Sequence, residues 1–166
     1  MQKANTANAF SLDGLALSTA NLYSAVQPGG SLFGLLESNP ADVETPYRAP
    51  SERYGTNTAS GCGSAIGGVN VFGGGLPLCG LNDDGEVEIV GGISMSGDTS
   101  CTDHIVARRV RDALGLDMVP TGVSATAADN AIHDISGKNT GGFGHPECDP
   151  TAIEVAGELP VLYPTN

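Results

Sequence analysis

Tryptophan is absent from this chain of 166 residues, aromatic residues of all kinds make up 5% of it, and only 7 lysines and arginines face 19 aspartates and glutamates. Each scarcity excludes something. With so few rings, the core has to be built mainly from aliphatic side chains. A formal charge of -12 opposes binding to a phosphate backbone, so nucleic acid is not an expected partner. The acidic surface serves solubility, or it docks a basic partner such as a positively charged redox protein. No run approaches the ~18 apolar residues that would span a membrane; no charged start followed by an apolar stretch is present either, which excludes nothing, because a secretory signal can have been removed or lie upstream. Nucleotide binding is unsupported, since Gly73-Gly74-Gly75 lacks the G-x-G-x-x-G spacing and a following helix, and no Walker lysine is present. A G-x-S-x-G elbow is missing too. Ser96, Asp103 and His104 make a triad only on paper, because adjacent residues on a helix point about 100 degrees apart. There is no internal repeat.

What is present is 24 glycines and 10 prolines, implying much turn and loop, in a chain long enough for one domain. Residues 12–26 read as a helix through Leu15, Leu22 and Val26, stopped by Gln27-Pro28-Gly29-Gly30. Residues 31–38 form a short apolar segment. Residues 39–68 are rich in Pro, Gly, Ser and Thr, a long loop of the kind found at binding surfaces or subunit contacts, with mobile surface decoration as the equal alternative. Toward the end the chain offers a short helix near residues 125–131 and a Pro-flanked terminus at 160–164.

The stretch from Gly73 to Leu116 is the most legible. Alternation over 87–95 puts Val87, Ile89, Gly91, Ile93 and Met95 on one face and Glu86, Glu88, Gly92, Ser94 and Ser96 on the other, with Val90 as the exception. Residues 76–81 supply the preceding strand, and Asn82-Asp83-Asp84-Gly85 the turn of a β-hairpin. A helix should then begin near Cys101, with Ser100 and Asp103 as a capping-box pair. Ile105, Val106, Ala107, Val110, Ala113 and Leu114 lie at helical spacing, and Gly115 falls where a left-handed C-cap is needed. Arg108, Arg109 and Arg111 gather in its C-terminal half.

Cys62, Cys79, Cys101 and Cys148 fit neither C-x-x-C nor C-x-x-C-H spacing, so disulfides account for them better than metal knuckles or covalent haem. Three pairings are open on sequence alone. Disulfides imply periplasmic or extracellular residence; the bland alternative is four reduced, buried cysteines in a cytosolic protein.

Gly74-Gly75-Leu76-Pro77-Leu78, then Gly91-Gly92-Ile93-Ser94-Met95-Ser96-Gly97, then Asp103 resemble the haem-binding HbpS/GlcG-like family, whose hairpin ends in a serine-glycine loop before an acid-led helix. The sequence is closest to a presumed exported subgroup with an SGDTSC-x-DH loop, carried by Ser96 to Cys101, Asp103 and His104. A late GFGHP-x-C motif runs here from Gly142 to Cys148. The opening Gln2 to Phe10 is similar to the family's central K-A-x-T-A helix. On that alignment the family's N-terminal helix and hairpin are missing, and the chain reads as a single domain over 1–166, with 117–166 a C-terminal extension.

The resemblance implies an α+β, profilin-like fold with an antiparallel sheet flanked by helices, assembled as a homo-oligomer or within a larger protein complex. It pairs Cys101 with Cys148, which leaves Cys62 with Cys79. Closing the longer loop would stabilise the domain by roughly 4 kcal/mol. Haem is the implied cofactor, but family ligation varies and its ligands are not carried over; from the residues themselves, if the Cys101–Cys148 bridge brings them together, His104 and His145 could hold a transition metal or one axial face of a haem iron, with Asp103 as a carboxylate orienting a ring nitrogen. The bland alternatives are a capping His104, a turn-stabilising His145 and, for His133, a surface position. The function implied is a secreted or periplasmic haem-binding carrier, sensor or accessory to a redox system. Its rival is a non-catalytic accessory subunit with no cofactor. An enzyme working through Ser96, Asp103 and His104 ranks third, because GlcG-like relatives have no agreed reaction.

Overall fold

A computed structural model of the chain describes residues 1–36, 68–136 and 141–165. Helix α1 (Gln2–Phe10) is followed by two short 3-10 turns, Thr19–Leu22 and Ser24–Val26. Strands β1 (Gly75–Leu81) and β2 (Val87–Ser94), helix α2 (Ser100–Ala113) and helix α3 (Pro150–Leu162) complete the order. The strands pair antiparallel, so the fold is α+β. Most of the long loop at 39–68, together with Cys62, lies outside the described residues.

The hairpin forms where the sequence placed it. At its turn, Asn82 Oδ1 accepts from the backbone N–H groups of Asp84 and Glu86, and Gly85 takes a positive φ of 79°. Leu78 pairs with Gly91 but Cys79 pairs with Ile89, leaving Val90 as the extra residue of a β-bulge, exposed to solvent. The bulge inverts the alternation beyond it. Directly paired residues share a face, so Val87 and Ile89 lie with Cys79 on the face that carries Pro77, Gly92 and Ser94 farther along. Val90, the exception in the pattern, is thus the residue that breaks it.

Glycines let the helices come close to the hairpin. A Cβ on Gly75 would stand 2.5 Å from the Lys3 carbonyl of α1, and one on Gly74 would stand 2.8 Å from the Asp103 Cβ of α2. Close backbone approach is therefore what the glycine run provides. The outer edge of β1 is covered: Pro77, which lacks an N–H, turns its carbonyl to the Arg111 guanidinium, and the Cys79 N–H donates to the Leu116 carbonyl.

Helix α2 starts one residue earlier than expected. Thr99 is the N-cap, its side chain accepting from the Thr102 N–H, while the Asp103 carboxylate reaches back to the Asp98 N–H. Its end is a Schellman motif, with Gly115 at φ 65° donating to Asp112 and Leu116 to Arg111.

Other expectations are corrected. Residues 12–26 are not one helix: Leu12 and Leu15 pair across a tight Asp13-Gly14 turn, and Ser18 with Asn21 closes a capping box that starts a separate short turn. Residues 125–131 hold a hydrogen-bonded turn, with Ala127 at φ 53° and the Ser124 N–H donating to the Ala128 carbonyl. The terminus near Pro160 belongs to α3. Asp149 caps that helix by accepting from the Ala152 N–H, and Pro150 stands in its first turn, where a missing N–H costs nothing. Cys79 is a free, buried thiol, packed with Ala16 and Val119, so the expected Cys62–Cys79 bridge is not formed. Burial pushes that thiol up to about 11, against a smaller opposing pull from Arg111, which leaves it unreactive.

The core is aliphatic. Leu17, Leu22, Val26 and Val71 form one cluster, with Phe10, Tyr23 and Phe143 half-buried at its border, and Ile105, Ala152 and Leu159 join α2 to α3. Among the described residues no helix is long and apolar enough to cross a membrane.

Candidate functional site

Three parts of the chain converge beside α2: the first 3-10 turns, the segment 129–134 and the Gly-Phe-Gly-His-Pro turn. Gly144 is indispensable to that turn, because a Cβ there would run into the Asp134 backbone; its carbonyl accepts from both the Ser24 N–H and the Ser24 hydroxyl. The neighbouring His145 N–H donates to the Ile132 carbonyl at 2.7 Å, so the His145 ring is fixed at both flanks. A disulfide links Cys101 in the first turn of α2 to Cys148, with Cα atoms 6.1 Å apart, and this staples the turn to the helix.

The two predicted histidines are buried, and their environments differ. His104 Nε2 accepts from the Ala131 backbone N–H at 3.1 Å, which puts the ring proton on Nδ1, an atom with no hydrogen-bond partner. Burial holds this imidazole neutral down to about 3; Asp129 pulls the other way, and Arg111 and His145 add to the depression. With one lone pair taken and the other nitrogen protonated, His104 has nothing free to offer a metal.

His145 has the opposite tautomer logic. Its Nδ1 lies 2.8 Å from the Pro146 carbonyl, which can only accept, so Nδ1 carries the proton and Nε2 keeps a lone pair; Nε2 is buried and unpartnered. His133 Nδ1 shares the same carbonyl at 3.4 Å, and the two rings meet edge-on with centroids 6.2 Å apart. His133 is therefore half-buried in the cluster, not the surface residue its local pattern suggested. Burial lowers the pKa of both, so both imidazoles are neutral near neutral pH. On its other side His145 meets Tyr23, ring centroids 5.3 Å apart. Tyr23 in turn lines a cleft of about 390 Å³ with Gln27, Leu36, Val69, Val71 and Phe72, a volume within the range of small-molecule sites.

Asp103 does not join this cluster. Its carboxylate receives the Lys3 ammonium at 2.8 Å and the Asp98 N–H at 3.1 Å, so it ties α1 to α2 and orients neither histidine. Ser96, meanwhile, is exposed, and the paper triad is not assembled.

The acid beside His104 is Asp129, which sequence reading missed. Asp129 is fully buried and takes both terminal nitrogens of Arg111, at 2.6 and 2.8 Å, while Arg108 lies 3.8 Å away. Burial alone would raise the Asp129 carboxyl; Arg111 outweighs it and holds the carboxyl below its ordinary range. Arg108 donates to the Tyr163 carbonyl at the end of α3, where helix carbonyls are left without partners, and Arg109 lies 5.4 Å over the Tyr163 ring.

A small α+β protein with a disulfide-stapled cluster of neutral histidines beside an apolar cleft is thus defined. The family model described as haem degrading protein HbpS-like matches residues 1–112. The chain belongs to that family, and it is a haem-related protein. No curated protein and no solved structure gives a significant match. Cys101 and His104 lie within the matched part; Asp129, His133, His145 and Cys148 come from beyond it, so the site joins the family domain to the residues that follow.

Proposed function

We propose that the protein is a secreted or periplasmic haem-binding protein, acting as a carrier, a sensor or an accessory to a redox system. One observation carries the reading: a buried neutral imidazole, His145, with a free Nε2 lone pair and its Nδ1–H held by a carbonyl, adjoins an apolar cleft through Tyr23. That is the orientation a ligating histidine needs, with its second nitrogen committed to a fixed acceptor. His145 would hold the iron, His133 stands beside it, and Val71, Phe72 and Tyr23 would cover a porphyrin face. A bound haem would supply redox-active iron. The Cys101–Cys148 bridge favours an oxidising compartment.

The test is a haem titration followed by absorption, with the mass of the assembly measured on the same samples. A Soret band that shifts or is lost in His145→Ala and persists in His104→Ala is the expected result. A flat titration at micromolar haem would remove the reading. The rival, an accessory subunit without a cofactor, draws on Val161 and Leu162, which α3 leaves 80% and 58% exposed. A defined oligomer combined with a flat haem titration would favour it.

A further inference from the structure

The sequence holds two short chelate spacings, Cys101-Thr102-Asp103-His104 and His145-Pro146-Glu147-Cys148. The fold brings the second onto the start of the first. Cys101 Sγ, Cys148 Sγ and one ring nitrogen of His145 all lie within 4.8 Å of one another. In the disulfide state this cluster has no thiolate to offer. In the dithiol state it has two sulfurs and an imidazole.

We infer that reduction of the Cys101–Cys148 bridge creates a Cys2His site for a divalent d10 cation, zinc in the first instance. The reaction balances with an external dithiol as reductant: the dithiol gives up two electrons and two protons to the bridge, yielding Cys101–SH and Cys148–SH, and itself closes to a disulfide. Zinc then displaces both thiol protons and binds the two thiolates and the imidazole, releasing two protons to solvent.

Two further observations support the site. His145 Nε2 is buried with no partner, and its Nδ1–H is already committed to the Pro146 carbonyl, so the ring is oriented before any metal arrives. The Cys101 backbone N–H points at Cys148 Sγ, 3.3 Å away, from the first turn of α2, where negative charge is stabilised. Thiolates with imidazole suit zinc, whose tetrahedral shell calls for ligand atoms about 3.5–4 Å apart, so the two sulfurs, bonded to each other in the disulfide, move apart on reduction to take the ion. Three protein ligands leave a fourth position for water or an exogenous group. The inference is independent of the haem reading, although His145 can serve only one metal at a time.

The test uses the full chain carrying Cys62→Ala and Cys79→Ala, so that Cys101 and Cys148 are the only thiols. It is reduced, freed of reductant without oxygen and titrated with Co²⁺ as a spectroscopic probe and then with Zn²⁺. One equivalent of Co²⁺ should give thiolate charge-transfer and tetrahedral ligand-field bands, which zinc bleaches; the oxidised chain should give neither. His145→Gln should weaken binding by at least about tenfold. Circular dichroism is followed throughout. Equal affinity in the His145 variant, no charge-transfer bands, or a reduced chain that unfolds and is not refolded by metal would each overturn the inference. Failure of haem to bind would leave this result unaffected, so the two readings are separable.

Discussion

Two buried ion pairs are anchored on α2, one near each end, and they are built differently. Near the N-terminus Asp103 meets Lys3 in a single contact, each side chain retaining 7–8% of its exposure, with the Asp98 N–H and the Met95 carbonyl completing the set. Near the C-terminus Asp129 receives Arg111 through both of its terminal nitrogens at zero exposure, with a second arginine and a neutral histidine alongside. The first is a clasp at the rim of the fold, where water can still help. The second is a closed cluster of two cations and one anion, in which both guanidiniums have Asp129 as their counter-charge. A bidentate guanidinium suits such a site and a lysine does not, because the fork matches the carboxylate with fixed geometry.

The sharpest way to break this comparison is Asp129→Ala. It would leave two arginines buried without their anion, and removing one partner of a buried pair typically costs about 3–5 kcal/mol. Urea unfolding should show a loss of that size or a chain that does not fold. A loss below about 1 kcal/mol would mean that water reaches the arginines and that the cluster is not closed. Lys3→Met, by contrast, should cost about 1–2 kcal/mol, because Asp103 keeps the Asp98 N–H and lies close enough to the surface to recover hydration. If Lys3→Met proves as damaging as Asp129→Ala, the distinction between clasp and closed cluster fails.

The same contrast explains how much of the molecule was legible. The hairpin, α2 and its Gly115 cap are local structures, and their signals lie within a few residues of one another. Even the bulge left a trace, in the apolar Val90 on the polar face. Arg108 and Arg111 were read as part of a basic helix half, because a charge looks solvated until its partner is found. The partner lies 18 residues downstream, past a turn, with no periodicity to announce it. His133 was misplaced for the same reason, since its burial comes from the Gly-Phe-Gly-His-Pro turn folding back. Helix α3 is a different case: Asp149-Pro150 is an ordinary N-cap and first-turn pair, but Pro160 and Pro164 at the far end read as the flanks of an irregular terminus. Residues 12–26 misled because three apolar side chains at loose spacing resemble a helix unless the Asp13-Gly14 turn is given weight.

The finest test concerns pH, where the neutral histidine of the closed cluster gives a signature that the clasp lacks. His104 has an ordinary pKa of 6.5 in the unfolded chain and about 3 in the folded one, first because it is buried and then because Arg111, His145 and Arg108 face it, with Asp129 in partial opposition. As pH falls below 6.5, the unfolded chain takes up a proton that the folded chain refuses. Stability is then lost as acid is added, by up to about 1.4 kcal/mol per pH unit for this one group. His133 and His145, both also depressed by burial, slope the same way. Asp129, depressed from 3.8, adds its own loss only at lower pH, so the window between about pH 6 and pH 4 belongs to the histidines. Unfolding free energies measured across that window should fall steadily for the parent chain and less steeply for His104→Gln. A parent curve that is flat there would mean that His104 takes a proton in the folded state, and the cluster around Asp129 would then be open to water after all.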